Sequence, residues 1–517
     1  MARGALAISF GAVFAALIVL LTLGTLAAVA GRAEGLSQLS GDDWKAIRFT
    51  LWQALVSATL SVVFAIPVAR ALARRRFPGR SLIIALLGAP FILPTIVAIL
   101  GLIAVFGQSG LVSAFLGLFG IPPVQIYGAH GVILAHVFFN LPLATRLLVQ
   151  AWLAVPAEQH RIAESLSLSR AGMWRAIELP LLRETLPGAF LVIFLLCTTS
   201  FAVALALGGG PRATTVELAI YEAFRFDFDL GRAARLGLIQ VAICAVIALL
   251  SIFVTVPQAR MGGLDGTIER WDRHSWEKWT DGAAITLASL FLITPLAILT
   301  ARGVPFLFEL PSSIWQAAFT SLWVALASTL LVVVASLSLA ISAQRLRRGE
   351  GLGDALSTLI LATSPLVMGT GLFIMLFPFT NPVGLALPVT IAVNAVLSIP
   401  FALRVLMPAL RAVEEAYGPL ADSLGLTGWA RLRWLLLPRL RRPLSFAAGL
   451  AAALSMGDLG VIALFSNPDQ QTLPLAMYQL MGAYRLEQAA SAGLVLVVLS
   501  FGIFFAIDRG GRADADL

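Results

Sequence analysis

Charged side chains are scarce in this chain of 517 residues, since Asp, Glu, Lys and Arg make up 12% of the sequence against 59% hydrophobic residues. Soluble globular proteins carry about 25% charged residues, so this composition excludes an ordinary soluble enzyme. A helix that spans the hydrocarbon core needs about 20 mostly apolar residues, and the apolar residues here suffice for about twelve such helices. The sequence therefore predicts an all-α polytopic membrane protein.

Cysteine, lysine and histidine are also rare. Cys197 and Cys244 lie in apolar runs, which excludes a disulfide framework and a CxxC metal site. Lys45 and Lys278 do not belong to a GxxxxGK[ST] sequence, so the chain has no phosphate-binding P-loop of its own. None of the four histidines stands at a recognisable spacing from a nucleophile or a second metal ligand. We therefore expect no catalytic residue, no metal, no cofactor and no nucleic-acid partner.

Twelve apolar runs are separated by polar, arginine-rich or Gly/Pro-rich stretches, and each run predicts one membrane span. They are 5–30, 49–72, 81–106, 128–153, 186–207 and 235–256, then 283–301, 314–343, 355–377, 384–406, 444–465 and 489–507. With this layout about 27 of the 36 basic residues fall on one side of the membrane, which places that side and both termini in the cytoplasm. The first run could instead be a cleaved signal peptide, because an A-x-A sequence ends it.

The two halves of the chain share positions at constant spacing, 271 residues apart near the start of each half and 258 further on. The repeated positions include Ser57 and Ser328, Pro94 and Pro365, Arg146 and Arg404, and Ala163 and Ala421. We predict a first repeat over 1–256, a cytoplasmic linker over 257–281 and a second repeat over 282–517. Two parallel six-helix repeats are related by an axis along the membrane normal, and such an axis favours a transport pathway over a purely structural scaffold.

One predicted cytoplasmic segment of each repeat, 161–180 and 419–438, is not itself a span. Each begins as a helix, breaks near Ser167 or Gly425, resumes with basic residues and tryptophan, and reaches a Leu-Pro pair. A short helix stopped by proline could act as a stiff lever, which predicts that these segments transmit motion from a cytoplasmic partner. They could alternatively be amphipathic anchors at the membrane surface.

These two segments resemble the EAA loop of ABC importer permeases, although Arg161 and Pro419 replace the leading glutamate and Ser167 replaces the glycine of the first copy. The resemblance implies the fold of a type I ABC importer in the bacterial inner membrane. It implies docking of two copies of an ATP-binding subunit, with a periplasmic substrate-binding protein delivering the ligand. The implied docking residues are Ala163, Ser167, Ile177, Leu179 and Pro180, with Ala421, Gly425, Leu437 and Pro438.

Within that family the chain is similar to thiamine importer permeases. The resemblance rests on the segments at 74–80, 134–151 and 200–224 and on the YRLEQAA stretch that begins at Tyr484. It implies transport of thiamine and its phosphates by a pore subunit that carries out no bond chemistry. A fused permease for ferric iron or another small solute, and an ion-gradient-driven secondary transporter, stay open as alternatives.

Three polar residues inside predicted spans are candidates for the lining of the pathway. An intramembrane carboxylate costs about 2.5–3.5 kcal/mol on insertion scales, so Asp458 is expected to face either a cavity or a structural partner. His136 and Asn140 share one helix face at i, i+4 spacing, and they could line the pathway or bond to a neighbouring helix.

Overall fold

A computed structural model describes residues 2–33, 39–88, 92–210, 213–254, 275–346, 349–465 and 470–512, and these residues form helices without a strand. In the first part of the chain the helices are α1 (Ala2–Val19), α2 (Thr25–Arg32), α3 (Gly41–Arg74), α4 (Arg80–Leu86), α5 (Thr95–Phe106), α6 (Leu111–Gly117), α7 (Ala129–Leu153), α8 (Ala157–Ser165), α9 (Arg170–Met173), α10 (Leu179–Thr198), α11 (Phe201–Leu207), α12 (Val216–Arg225) and α13 (Leu230–Ile252). In the second part they are α14 (Ser275–Gly303), α15 (Ser312–Arg345), α16 (Gly349–Ala362), α17 (Pro365–Leu376), α18 (Ala386–Ser423), α19 (Gly428–Arg431), α20 (Leu437–Met456), α21 (Gly460–Phe465), α22 (Leu473–Gly482) and α23 (Leu486–Arg512). Shorter segments include π-helical turns at Leu20–Gly24, Trp174–Glu178 and Leu432–Leu436 and 3-10 turns at Val304–Glu309 and Pro382–Leu385.

The predicted all-α membrane fold is confirmed. Among the described residues 11 helices are long and apolar enough to cross a membrane, and the number rises to 12 if the bent pair α16–α17 counts as one span. That pair is bent by 84° at Ser364–Pro365, where the run 355–377 was expected to be one span. The run 81–106 likewise divides into α4 and α5, with Pro94 just before α5. Proline lacks an N–H donor and disfavours helical backbone in the residue before it, so both spans break there.

Helix lengths recur between the two parts of the chain. α3 and α15 each have 34 residues, α5 and α17 each have 12, and α10 and α20 each have 20. Exposure recurs as well, since Trp52 and Trp323 face outward while Ser57 and Ser328 are buried. A repeated pattern of lipid-facing and buried positions is what two copies of one membrane fold require.

The first span of each half packs against the opposite half. α1 packs on α15 and α2 on α17, while α14 packs on α3 and α5. One glycine in α5 and one in α17 permit these close approaches: a Cβ added to Gly101 would lie 2.9 Å from the carbonyl oxygen of Pro295, and one added to Gly371 would lie 2.5 Å from Thr25. The two halves are therefore interlocked rather than merely adjacent.

A buried charge cluster joins the halves where the linker was predicted. Asp281, near the start of α14, accepts hydrogen bonds from Arg74 at 2.5 and 3.0 Å and from Arg75 at 2.6 Å, and Glu277 lies 3.6 Å from Arg74. Residues 275–281 of the predicted linker are thus the first turns of α14, and 257–274 lie outside the described residues. Most of the charge on Arg74 is neutralised inside the protein, which allows its burial.

Candidate coupling elbows and central cavity

Each predicted EAA-like segment folds as a bent helical unit, which we call an elbow. The first elbow comprises 157–178 and the second comprises 415–436. Both bends have a residue with left-handed backbone at the equivalent position: Ser167 has φ 47° and Gly425 has φ 67°. The N–H of Leu168 donates to the carbonyl of Ala163 at 3.0 Å, and the N–H of Leu426 donates to that of Ala421 at 2.9 Å. Both bends are therefore helix C-caps closed by a left-handed residue.

The Leu-Pro pairs do not stop the elbow helices, contrary to the expectation from sequence. The π-helical turn Trp174–Glu178 runs directly into α10, and Leu432–Leu436 runs into α20. Pro180 is the second residue of α10, and Pro438 is the second residue of α20. A π turn and the first turn of a helix both leave backbone groups outside the usual bonding pattern, so a proline without an N–H is tolerated there. Each elbow is consequently continuous with a membrane span.

The predicted docking residues differ in accessibility. Ser167, Gly425, Pro180 and Pro438 are exposed, and Ile177, Leu179 and Leu437 are half-buried. Ala163 and Ala421 are each 2% exposed, so they support the bend and offer little surface to a partner.

Sequence reasoning missed two pairs of exposed aliphatic residues. Ile162 and Leu166 lie on the first elbow, and Leu420 and Leu424 lie at the equivalent positions of the second. An i, i+4 aliphatic pair on an otherwise polar helix was the available signal. Apolar residues exposed at the same place in both elbows are a feature of interaction sites.

The first elbow is tied to the core of the membrane domain by an ion pair. Arg70 of α3 lies 2.8 Å from Glu178, measured from Nε to Oε2, and its Nη2 donates to Oε1 at 3.1 Å. The Glu178 side chain is 4% exposed. The Arg70 guanidinium also lies 5.9 Å from the centre of the Trp174 ring. These contacts couple the π-helical turn to α3 directly.

The second elbow lacks that tie and is braced against α18, the helix that leads into it. The positions equivalent to Arg70 and Glu178 hold Ile341 and Leu436, which carry no charge. Instead Arg431 of α19 pairs with Glu414 and with Asp422, both on α18. The two elbows therefore share a backbone shape but differ in what holds them in place.

A cavity of about 490 Å³ lies between the two halves. Its lining includes His136 and Asn140 of α7, Ser251 in the last turn of α13, Thr358 of α16 and Arg404 of α18. The start of α13 lies beside the start of α3, where Arg232 pairs with Asp43, and the end of α3 contacts the first elbow. Ser251, at the end of α13, therefore lies toward the elbows. The cavity thus extends toward the elbow side of the molecule.

Two of the three predicted pathway residues line this cavity. Both ring nitrogens of His136 are buried without a hydrogen-bond partner in the described part of the chain. Asn140 donates to the carbonyl of His136 at 2.8 Å and contacts the Cys197 sulfur at 3.4 Å. In the second half the corresponding place is occupied by Asn394, whose amide donates to Ser455 at 3.0 Å. The His136 ring thus has no hydrogen-bond partner among the described residues, whereas Asn394, its counterpart in the second half, has one.

Asp458, the third predicted pathway residue, lies next to the cavity rather than in its lining. It stands in the break between α20 and α21, and its Oδ1 accepts a hydrogen bond from the N–H of Gly460 at 3.2 Å. The adjacent Gly457 does line the cavity and approaches Pro94 of the other half, since an added Cβ would lie 3.1 Å from the Pro94 Cα. Asp458 thus caps α21 at a contact between the halves.

Two interlocked copies of a helical membrane domain, each with an elbow and with a cavity between them, define a membrane permease of the ABC importer class. Within the described ranges no cluster of three or more His, Cys, Asp or Glu residues could hold a metal ion.

Comparisons with known proteins carry this assignment further. The family described as binding-protein-dependent transport system inner membrane component matches residues 333–509. The chain is 40% identical over 491 residues to the thiamine transport system permease protein ThiP of Salmonella typhimurium, covering 92% of this chain and 90% of the relative. It is 41% identical over 483 residues to ThiP of Escherichia coli, covering 90% and 89%. Similarity to the sulfate transport system permease protein CysT of Salmonella typhimurium is 29% over 219 residues, or 42% of this chain and 77% of the relative. The chain therefore belongs to the family of thiamine transport system permease proteins.

Proposed function

We propose that this chain is the permease of an ATP-driven importer that moves thiamine and its phosphates across the bacterial inner membrane. The observation that carries the proposal is the identity of about 40% to thiamine permeases along about nine-tenths of both chains. The match includes both halves of the chain. The chain itself performs no hydrolysis, and ATP is consumed on a separate subunit.

The two elbows are the docking points for two copies of that ATP-binding subunit. Their exposed aliphatic pairs, Ile162 with Leu166 and Leu420 with Leu424, support this assignment. The docking residues inferred from the EAA resemblance form and flank the same bends. The excess of basic residues on the elbow side supports a cytoplasmic location for the elbows and for both termini. A periplasmic substrate-binding protein then docks on the opposite side.

The two repeats rock against one another when the ATP-binding subunits close. Both elbows continue into membrane spans, so a push on an elbow is passed to α10 or α20 as a rigid-body motion. The cargo passes through the cavity between the halves, where His136 and Asn140 present polar groups and Asp458 supports the nearby contact between the halves.

The proposal is tested by uptake in a strain that lacks this chain. Labelled thiamine accumulation should fall to background in the deletion strain and return with the wild-type gene. It should be abolished when ATP synthesis is blocked, and it should persist when the proton gradient alone is collapsed and ATP is kept constant. Ferric iron serves as the control cargo. Restoration of iron uptake with no change in thiamine uptake would overturn the assignment.

A further inference from the structure

The face of the molecule opposite the elbows, which we call the far side, contains a short buried helix that sequence analysis did not assign to a function. The N–H of Gly128, before α7, donates to the carbonyl of Leu207 at the end of α11 at 2.7 Å. α7 ends at the first elbow, so Leu207 and the following α12 belong to the far side. α12 has 10 residues, too few to span a bilayer.

One face of α12 is turned toward the second half of the protein. Glu217, Tyr221 and Phe224 follow i, i+4, i+7 spacing and share that face. The Phe224 ring lies 4.7 Å from Phe373 of α17, centre to centre, and Phe373 lies 5.8 Å from Phe465 of α21. Aromatic side chains from both halves therefore meet on the far side.

Glu217 is a carboxyl buried in this contact. Its exposure is 0%, and neither carboxyl oxygen forms a hydrogen bond within the described residues. Ser364, at the start of α17, and Gln240 of α13 are the polar side chains that face it. Ser364 Oγ also accepts from the N–H of Leu366, and Gln240 also donates to the carbonyl of Thr198, so both neighbours are neutral groups and neither supplies a counter-charge. The equivalent position in the second half is Pro474, so the carboxyl occurs once in the molecule.

We propose that α12 against α17 is the far-side gate, and that Glu217 is a neutral acid in the closed gate and an ionised cation-binding carboxylate in the open gate. The inference rests on the proposed function, because thiamine is a cation. When α12 separates from α17, water reaches Glu217 and its proton passes to the solution. The carboxylate then attracts the arriving cation at the mouth of the pathway. When the gate closes behind the cargo, Glu217 takes up a proton again.

The cost of burying charge determines the direction of this switch. An ionised carboxylate without a partner is expensive in a dry contact, so closure favours the protonated acid. Burial raises the pKa of Glu217 to about 8 from its ordinary value of 4.5. A carboxyl with a raised pKa stabilises the closed state most below pH 4.5, and that stabilisation is lost as the pH rises toward 8.

The neighbouring helices supply little charge to this position. α11, α17 and α21 carry no charged residue. The titratable groups on the two other helices that pack on α12 are Cys244, Arg232 and Arg235 of α13, and, at the far-side end of α3, Asp42, Asp43, Lys45 and Arg48. Of these, Cys244 faces Glu217, while Arg232 is paired with Asp43.

The experiment measures gate opening in the assembled transporter in lipid nanodiscs. Spin labels are placed at Phe226 and Phe379, which are 67% and 87% exposed at the ends of the two gate helices. Cys197 and Cys244 are buried, so labelling selects the introduced cysteines. Without substrate, the ratio of open to closed gates should rise about tenfold per pH unit between pH 5.5 and 7.5, because one proton is released on opening. In Glu217→Gln the ratio should not change with pH.

Glu222→Gln is the matched control, because Glu222 lies on the same helix, is half-buried and is turned away from α17 by its spacing; it should keep the wild-type response.

In transport assays Glu217→Gln should raise the KM for thiamine about tenfold at pH 7.5. A pH response that survives in Glu217→Gln would overturn the proposal. Because gate opening is measured without substrate, failure of thiamine transport in the wild type would refute the proposed function and leave the gate result interpretable.

Discussion

At the scale of single residues, the bend of each elbow depends on one left-handed position. Ser167 adopts φ 47° and Gly425 adopts φ 67°, and no atom lies within 4 Å of where a Cβ on Gly425 would stand. A side chain at Gly425 would therefore meet no steric clash with neighbours, and its cost would come from the backbone alone. Ser167 adopts this strained backbone in the first elbow. The bend therefore forms there although serine replaces the glycine of the EAA pattern.

Gly425→Ala should lower the free energy of unfolding by about 1 kcal/mol, since a left-handed backbone disfavours a Cβ. Ser167→Gly should change it by less, because relief of that strain is offset by a more flexible unfolded chain. Gly172→Ala is the control, since its Cβ would make ordinary contacts at 3.5 Å and its φ is not positive. Unfolding by SDS titration of the purified permease measures all three. Equal destabilisation by Gly425→Ala and Gly172→Ala would contradict the argument.

The Arg70–Glu178 pair should determine how closely the motion of the first elbow is coupled to α3. Removing one partner of a buried ion pair deprives the other charge of a counter-charge, which typically costs about 3–5 kcal/mol. We expect Arg70→Ala and Glu178→Gln each to uncouple ATP hydrolysis from uptake, and the exchange Arg70→Glu with Glu178→Arg to restore part of the coupling. The measurement is labelled substrate transported per ATP hydrolysed.

Leu436→Ala, at the position equivalent to Glu178, tests whether the effect belongs to the ion pair. It should reduce stability through lost packing while leaving the ratio of transport to hydrolysis near the wild-type value. If the charge exchange is no better than either single change, the pair does not act as a coupling element.

At the scale of helices, the packing of each first span against the opposite half depends on one glycine in α5 and one in α17. Gly371 admits Thr25 beside the π-helical turn Leu20–Gly24, and Gly101 admits Pro295. Both partner helices are thus irregular at or close to the crossing point. Small residues allow helix backbones to approach closely in membranes, where packing rather than hydrophobicity holds helices together.

Gly371→Ala should destabilise the permease by about 1–3 kcal/mol, because overpacking forces backbone shifts. Gly101→Ala should cost less, since its nearest contact would be 2.9 Å rather than 2.5 Å. Gly502→Ala is the control, for that glycine has open space around its Cβ position in α23. SDS titration and thiamine uptake check the order. A control variant as unstable as Gly371→Ala would refute the crossing argument.

At the scale of the whole molecule, the two halves are alike in fold and unlike in electrostatics. The buried Arg74–Asp281 cluster fixes the start of the second half to the end of α3, the first elbow is tied by Arg70, and Glu217 occurs only in the first half. Equivalent positions, among them Ile341, Leu436 and Pro474, carry no charge. A duplicated chain can lose symmetry in this way because each copy mutates independently once both are in one polypeptide.

Much of the fold could be predicted because a helix that spans the bilayer must be apolar along its length, and hydropathy detects such runs directly. The apolar runs located the spans, and repeated residues revealed the duplication. The broken spans at Pro94 and Pro365 were missed because an apolar run stays apolar across a bend. Glu217 was missed because α12 is short and carries charges, so its sequence is typical of an exposed helix.

The sequence by itself determined the membrane class and the presence of many spans, and it predicted the duplication and the place of the elbows, because these follow from local composition and spacing. Only the tertiary structure decided which helices pack together, that Ala163 and Ala421 are buried, that His136 faces a cavity while Asp458 caps a helix, and that Glu217 lies in a contact between the halves. Apolar residues satisfy lipid and protein equally well, so hydropathy cannot specify neighbours. Those are fixed by the fit of particular side chains at each helix crossing.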